Sequence, residues 1–351
     1  PAIGLAGAGL VALSEGEAAL LRSLRLHHLR ADLHLEGPGW EGAIERAAAN
    51  ARLLGVPLEV ALFLPEDPRP GLRDLAARAS ALRLPVATWL VFRARDGVTD
   101  DALLPAARGA LAGVAPEALF GGGSDSTFAD LNRRRPGQRL DVLSVAVNPQ
   151  VHAFDDATLV ENVSSLPWLA ETVSSFAGGT PLHLSPVTLR PRVDPRPATS
   201  REGPPFSDDP RQGTSFAAGW TLGFLASAAE ARVRSVTFFE LTGPRGVMEG
   251  GTAYPILDAL ADVAALSGAE VLPARSRRPE RVQALALRSE GKARVFLANV
   301  TGEPHPVRVE GLAGPVIRAP LGVAAGASAE GPEVELAPHE VARLDVTVAA
   351  G

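Results

Sequence analysis

The sequence contains no cysteine. That absence excludes disulfides, thiol nucleophiles, cysteine-held zinc and iron–sulfur clusters. Histidine is scarce, at seven residues, so any metal site would rest on His, Asp and Glu alone. No His-Glu-x-x-His occurs and no two histidines share one expected site loop. Tightly held zinc is therefore not expected, a weak carboxylate–histidine site stays open, and no cofactor is expected. No apolar run reaches the ~18–20 residues that span a bilayer. The apolar first thirteen residues lack a preceding basic region and a clear cleavage site, and read as strand and loop rather than a signal peptide. A cytoplasmic location without a membrane partner is the expectation. Thirty-four basic against forty acidic residues give a net charge of −6, which offers nothing to nucleic acid. Lysine is almost absent, Lys292 being the single one.

What is present is a core. The chain is 46% hydrophobic and 21% charged, a balance that rules out disorder, collagen-like sequence and coiled coil. Its 351 residues, at ~150 per domain, suggest two domains. Short β-rich runs at Ala2–Ala6, His28–Leu35, Leu58–Leu64, Pro85–Phe92, Ala118–Gly122, Asp141–Val147, Pro181–Val187 and Arg234–Leu241 each precede a helical pattern. The first helix opens with Ser14 and Glu17 in capping-box spacing. The second runs from near Trp40 to Leu54. Eight such units predict a (β/α)8 TIM barrel over residues 1–269. From 270 to 351 strand-like runs follow without helical periodicity, predicting a C-terminal antiparallel β-sandwich domain. Its apolar face is expected to pack on the barrel flank. The stretch Arg190–Gly213, with six prolines and five arginines, reads as a long loop after the seventh strand, functional or disordered, on the face where barrel enzymes place their active sites.

Barrel chemistry sits at the carboxyl ends of strands. Alternation along the second strand points Arg30, Asp32 and His34 inward, with Glu59 of the third strand as a partner for Arg30. In Gly121-Gly122-Gly123-Ser124-Asp125 the glycines allow close approach of a ligand, and Asp125 reads equally as a helix cap or a ligand contact. No lysine follows in P-loop register. The sixth strand ends in Asn148-Pro149-Gln150-Val151-His152-Ala153-Phe154-Asp155, where His152 suits proton transfer and Asp155 either caps a helix or binds. Ser185 ends the seventh strand as a hydrogen-bonding candidate. Arg190 opens the long loop, as an anion contact or a solvated side chain. Glu240 closes the aromatic eighth strand and is the strongest candidate for a general base, the bland alternative being a salt bridge to Arg245. Gly7-Ala8-Gly9-Leu10-Val11-Ala12 with Asp32 imitates a dinucleotide fingerprint, but the helix begins only after Ser14, so NAD is not expected. No Gly-x-Ser-x-Gly elbow occurs.

Several segments resemble the D-apionate lactonase family, whose members hydrolyse D-apionolactone to D-apionate. They are Gly122–Asp125 with Ala129–Arg133, Asn148–Asp156, Ser185–Arg192, Trp220–Gly223, Phe239–Gly243 and Arg245–Glu249. The resemblance runs from the barrel into the terminal β domain. Family members carry a further β domain before the barrel, whereas this sequence opens on the first barrel strand, as a trimmed chain or a short relative would. Phe238-Phe239 stands where a tyrosine pair is expected, and the missing hydroxyls are expected to bear on substrate choice. The resemblance implies a lactone hydrolase acting on a small sugar-derived substrate. It brings no assigned catalytic residues; on their own chemistry, Glu240 would activate water, His152 would supply a proton or polarise the carbonyl, and Asp32, Asp125 and Asn148 would hold hydroxyls. The alternatives are a glycoside hydrolase and a non-catalytic carbohydrate-binding relative. A glycosidase needs two carboxyl groups. Glu240 is one, but the fourth strand ends Val91-Phe92-Arg93 and no Asn-Glu dipeptide exists, so Asp125 or Asp155 would have to substitute.

Overall fold

The computed structural model describes residues 1–193, 205–289, 291–312, 316–323 and 329–347. Eight parallel strands close into a barrel in sequence order: β1 (Ala2–Ala6), β2 (His28–His34), β3 (Leu58–Leu64), β4 (Val86–Arg93), β5 (Leu119–Ser124), β6 (Val142–Val147), β7 (Leu182–Val187) and β8 (Ser235–Glu240). Around them lie α1 (Glu15–Arg22), α2 (Trp40–Leu54), α3 (Arg69–Ala81), α4 (Leu103–Leu111), α5 (Phe128–Arg133), α6 (Asp156–Val163), α7 (Leu166–Ala177), α8 (Ser215–Glu230) and α9 (Pro255–Ala264). The capping box at Ser14 and Glu17 is formed as its spacing predicts. In α2, Ile44, Ala47, Ala48 and Ala51 recur at helical spacing on the buried face, and Gly55 ends the helix in the left-handed region.

Strand β3 shows why these runs read as continuously apolar. Leu58, Val60, Leu62 and Leu64 join the core beneath the helices, whereas Ala61 and Phe63 pack with Leu90, Phe92 and Val142 in a separate interior cluster. A parallel sheet covered on both faces leaves no row for water.

After the barrel come a two-residue pair, β9 (Met248–Glu249) and β10 (Thr252–Ala253), then β11 (Glu270–Leu272), β12 (Val282–Ser289), β13 (Lys292–Asn299), β14 (His305–Arg308), β15 (Val316–Ala319), β16 (Ala329–Glu330), β17 (Glu333–Leu336) and β18 (Val341–Thr347). A six-stranded antiparallel sheet, ordered β11-β12-β13-β18-β15-β16, and the pair β14-β17 make the terminal β domain. Its apolar face lies on α8, as the flank expectation required. Residues Phe216 through Leu225 of α8 are all buried, because the barrel covers one side and β12, β13 and β18 the other. A helix without a wet face belongs in an interior. Close approach needs small residues: a Cβ on Gly219 would lie 3.0 Å from that of Ala298 and 3.6 Å from Val341. A buried polar clasp reinforces the contact, with Arg343 on β18 reaching Asp262 of α9 at 2.7 Å.

Gly219→Leu would therefore overpack this junction. We expect a loss of about 1–3 kcal/mol, read as a lower urea midpoint; an unchanged midpoint would mean that the β domain is not seated on α8.

Candidate active site

The carboxyl end of β8 departs from regular alternation. Leu5 of β1 pairs with Phe238 and Ala6 with Glu240, so Phe239 is left over as a bulge, with φ +36°. Thr237 points into the barrel, where it meets His28 at 2.7 Å. Phe238 packs outward on Phe224, and the bulge sends Phe239 to the same side, against Trp220. Glu240 is thereby turned toward the barrel mouth; bulges commonly re-aim a side chain in this way. Gly7, at φ +79°, makes room: a Cβ there would lie 3.2 Å from Glu240 Cβ and Cγ. The two phenylalanines are buried in the helix layer. This corrects the expectation about their missing hydroxyls, because tyrosine oxygens there would not extend into the barrel mouth.

Below Glu240 lies a closed ring of alternating charge. The Arg30 guanidinium donates through Nε to Asp32 Oδ1 at 2.7 Å and through Nη2 to Asp125 Oδ1. Arg192 donates to the outer oxygens, Nη1 to Asp32 Oδ2 at 2.5 Å and Nη2 to Asp125 Oδ2. The Arg30 side chain is wholly buried. Its remaining Nη1 donates to Ser185 Oγ at 3.0 Å, and Ser185 donates in turn to Glu59. Glu59 also accepts from Thr237 at 3.3 Å and meets His183 Nδ1 at 3.4 Å. The expected contact between Arg30 and Glu59 is thus relayed by a hydroxyl, and the direct partners of Arg30 are aspartates.

Burial and charge divide these groups. For Arg30, burial opposes the charged form, but Asp32, Asp125 and Glu59 outweigh it and hold the guanidinium firmly protonated. Burial also opposes ionisation of Asp32, yet Arg30 and Arg192 keep its carboxyl well below the usual range. Asp125 is more enclosed, with 7% of its side chain exposed against 27% for Asp32, and burial pushes it upward despite the same two arginines. Burial is overcome again at Glu59, which the His183 hydrogen bond and the nearby His28 and Arg30 hold at about 2. His28 is lowered by its own burial. Glu240 is raised by burial, with Asp32 adding to the rise and Arg245, 2.8 Å away, and Arg192 opposing it. Glu240 therefore has both the salt bridge to Arg245 and an upward-shifted carboxyl.

The rim beside the ring is built from the β6–α6 and β7–α8 loops. Asp209 accepts from Gln150 at 2.6 Å, Arg190 at 3.1 Å and Arg211 at 2.8 Å; Arg211 also reaches Asp156 at 2.7 Å. Arg190 lies over the Phe154 ring, which meets Phe206 edge-on. Arg190 is thus paired within the rim. Asp155 caps α6 through Thr158 N at 2.9 Å, while Thr127, not Asp125, caps α5. Ser185 is fully buried beneath the ring. Asn148 Oδ1 is buried with no hydrogen-bond partner among the described residues. His152 is exposed on the β6–α6 loop, at the same barrel end as Glu240. His34 stands at the rim, stacked 4.2 Å from the Phe63 ring. The triple glycine is filled by protein: a Cβ on Gly123 would meet Ser144 O at 2.2 Å, and one on Gly122 would meet Thr99 Oγ1 at 2.1 Å. Of the long loop, residues 194–204 lie outside the described residues. Arg192, Asp209 and Arg211 were not singled out from the sequence; the arginine-rich, proline-rich composition of the loop was the available signal.

The profile of the D-apionate lactonase TIM barrel domain matches residues 5–268, and that of the D-apionate lactonase C-terminal immunoglobulin-like domain matches residues 279–344. The chain belongs to the D-apionate lactonase family. A D-apionate lactonase of Brucella anthropi is 31% identical over 208 residues, covering 55% of this chain but only 34% of that protein's length. In fold, this family member is similar to a GH30 endoxylanase from Clostridium papyrosolvens, at 14% identity and TM-score 0.64 over 99% of this chain and 96% of that one. An arabinofuranosidase gives 14% identity and TM-score 0.64 over 96% and 92%. The β4 end carries Arg93, bound to Asp96 at 2.5 Å and Asp100 at 3.1 Å. Among the described residues no group of three or more His, Asp or Glu is placed to hold a metal ion.

Two outcomes test this lactonase-family site. Arg30→Met leaves Asp32 and Asp125 with an unbalanced buried charge, and we expect it to cost about 3–5 kcal/mol in urea unfolding; a parent-like midpoint would contradict the ring. Asp209 is held at about 2, below its ordinary 3.8, by Arg211 and Gln150 against the pull of burial. A depressed carboxyl stabilises above the unfolded value and loses that contribution as pH falls through the folded one. The stability gap between the parent and Asp209→Asn should thus narrow as pH drops from 3.8 to about 2.

Proposed function

We propose that the protein opens a sugar lactone of the D-apionolactone type to its aldonate, with Glu240 as general base. The observation that carries this reading is a part-buried carboxylate, aimed inward by the bulge at Phe239, raised by burial and flanked by Arg192 and Arg245. Such a group takes a proton from water while guanidinium charge stands ready for the developing oxyanion.

The water oxygen bonds to the carbonyl carbon as its proton passes to Glu240, and the C=O electron pair moves onto oxygen. Collapse of this intermediate re-forms the carbonyl and breaks the ring C–O bond. The departing alkoxide takes a proton from His152 on the rim loop, which regains one from solvent, while Glu240 and the new carboxylic acid each release theirs to give the aldonate. Asp32, at the ring's wetter side, and Asn148, with an unpartnered buried oxygen, are placed for sugar hydroxyls. Asp125 locates Arg30 and Arg192 from beneath. Asp155 and Arg190 hold the rim that surrounds the substrate. A glycoside hydrolase reading is less well supported, since Arg93 occupies the β4 end and the Asp32 and Asp125 carboxylates are each tied to two arginines.

Glu240→Gln should lower kcat for D-apionolactone opening by ~10²-fold or more. In the parent, kcat/KM should fall as pH drops through a pKa above the ordinary 4.5 of glutamate, because the base must be ionised. His152→Ala should slow opening less. A panel of aryl glycosides should remain uncleaved. Parent-level hydrolysis by Glu240→Gln overturns the assignment.

A further inference from the structure

We infer that Arg192 is a catalytic residue of this site: its guanidinium polarises the lactone carbonyl and then pairs with the carboxylate of the product. This deepens the lactone-opening reading and rests on it for the reaction, though not for the anion contact.

Arg192 is fixed by its partners. Two of its N–H groups are taken by the outer oxygens of Asp32 and Asp125. Both aspartates are held from behind by Arg30, whose side chain is wholly buried. The fork of Arg192 is therefore set by a rigid support rather than by its own flexible stem. A guanidinium carries five N–H donors. No other described residue accepts from the remaining three, and 27% of the side chain is exposed. The backbone is steadied two residues earlier, where Arg190 is clamped to Asp209 and Phe154.

Arg192 binds Asp32 near the carboxyl end of β2, and Glu240 ends β8; both strands pair with β1, so the cation and the proposed base stand at one barrel mouth, where the charge of Arg192 opposes the rise at Glu240. The other guanidinium beside Glu240, that of Arg245, is bonded to Glu240 itself and to Ser207 Oγ at 2.8 Å. Arg30 is sealed on the inner side of the ring, with its side chain wholly buried. Arg192 is thus the cation there whose charge is not already tied to the proposed base, and it has donors unused among the described residues.

Water attack turns a neutral carbonyl oxygen into an oxyanion, and the reaction ends in a carboxylate. Fixed donors at the position where charge develops stabilise the transition state without reorganisation at that moment. The arginine fork also suits a carboxylate, which it can bind through two parallel hydrogen bonds. The same donors therefore serve both stages. A neutral polyol lacks this contact, so Arg192 favours ring-closed acids and their open forms over glycosides.

The test compares the parent, Arg192→Ala and Arg192→Lys. Thermal unfolding first checks that each is folded, and the lysine variant keeps a charge opposite the two aspartates if the alanine variant is not. Calorimetry then measures binding of D-apionate and of the alditol with the same carbon skeleton. We expect the parent to prefer the aldonate by ~10-fold or more, Arg192→Ala to lose that preference, and Arg192→Lys to keep part of it. On D-apionolactone, Arg192→Ala should lose ~10²–10³-fold in kcat. The acid limb of its kcat/KM profile should move to higher pH, since Glu240 keeps Arg245 and Asp32 as neighbours but loses a positive charge. Retained aldonate preference and parent-like kcat in a folded Arg192→Ala would overturn the inference. A parent that prefers the aldonate through Arg192 yet opens no lactone would overturn the lactonase reading and leave the anion contact standing.

Discussion

The active end of this barrel depends on one buried cation. Arg30 has no access to water and reaches two aspartates and a serine from three of its nitrogens. A charge so placed is costly unless each of its nitrogens finds a partner. Meeting them draws Asp32 from β2, Asp125 from the β5–α5 loop and Ser185 from β7 to one point. Arg192 closes the circuit from the β7–α8 loop. The ring carries two positive and two negative charges, so it sits in the barrel without net charge. What it gains is position: side chains from four segments are fixed relative to one another, and a mobile arginine becomes a fixed one.

A second constraint turns that scaffold into a site. One extra residue at the end of β8 shifts Phe239 to the helix layer and Glu240 to the mouth. The aromatic packing around Trp220, Phe224 and Phe238 anchors the bulge from outside, and that same helix is pressed by the β domain from its far side. The terminal domain thus supports the element that supports Glu240. Gly7 completes the arrangement by offering no side chain where Glu240 must pass. Burial then acts on the placed carboxyl, raising it while Arg245 and Arg192 limit the rise.

Much of the architecture was legible in the residues because periodicity is a local property. Leu58–Leu64 and Ala2–Ala6 are strands at the expected bounds, and α2 spans Trp40–Leu54. The break between α6 and α7 at Ser164-Ser165 was not read, since a helical pattern continues across it. The site was legible only in part. Inward alternation on β2 gave Arg30 and Asp32, but the partner expected for Arg30 was the adjacent Glu59, and Ser185 stands between them. Asp32 and Arg192 are 160 residues apart. No spacing rule joins them, and only barrel closure brings them together. The role expected of Phe238 and Phe239 failed for a different reason: a positive φ at a phenylalanine leaves no mark in the sequence, yet it reverses which face every following side chain occupies.

In the reaction proposed for this site, water activated at Glu240 attacks the acyl carbon of a lactone. Opening D-apionolactone in H₂¹⁸O and locating the heavy oxygen by mass spectrometry tests it most directly. One ¹⁸O atom is expected in the product carboxylate and none on the liberated hydroxyl. Label on that hydroxyl, the outcome of displacement at the alkyl carbon, or no ring opening at all, would contradict it.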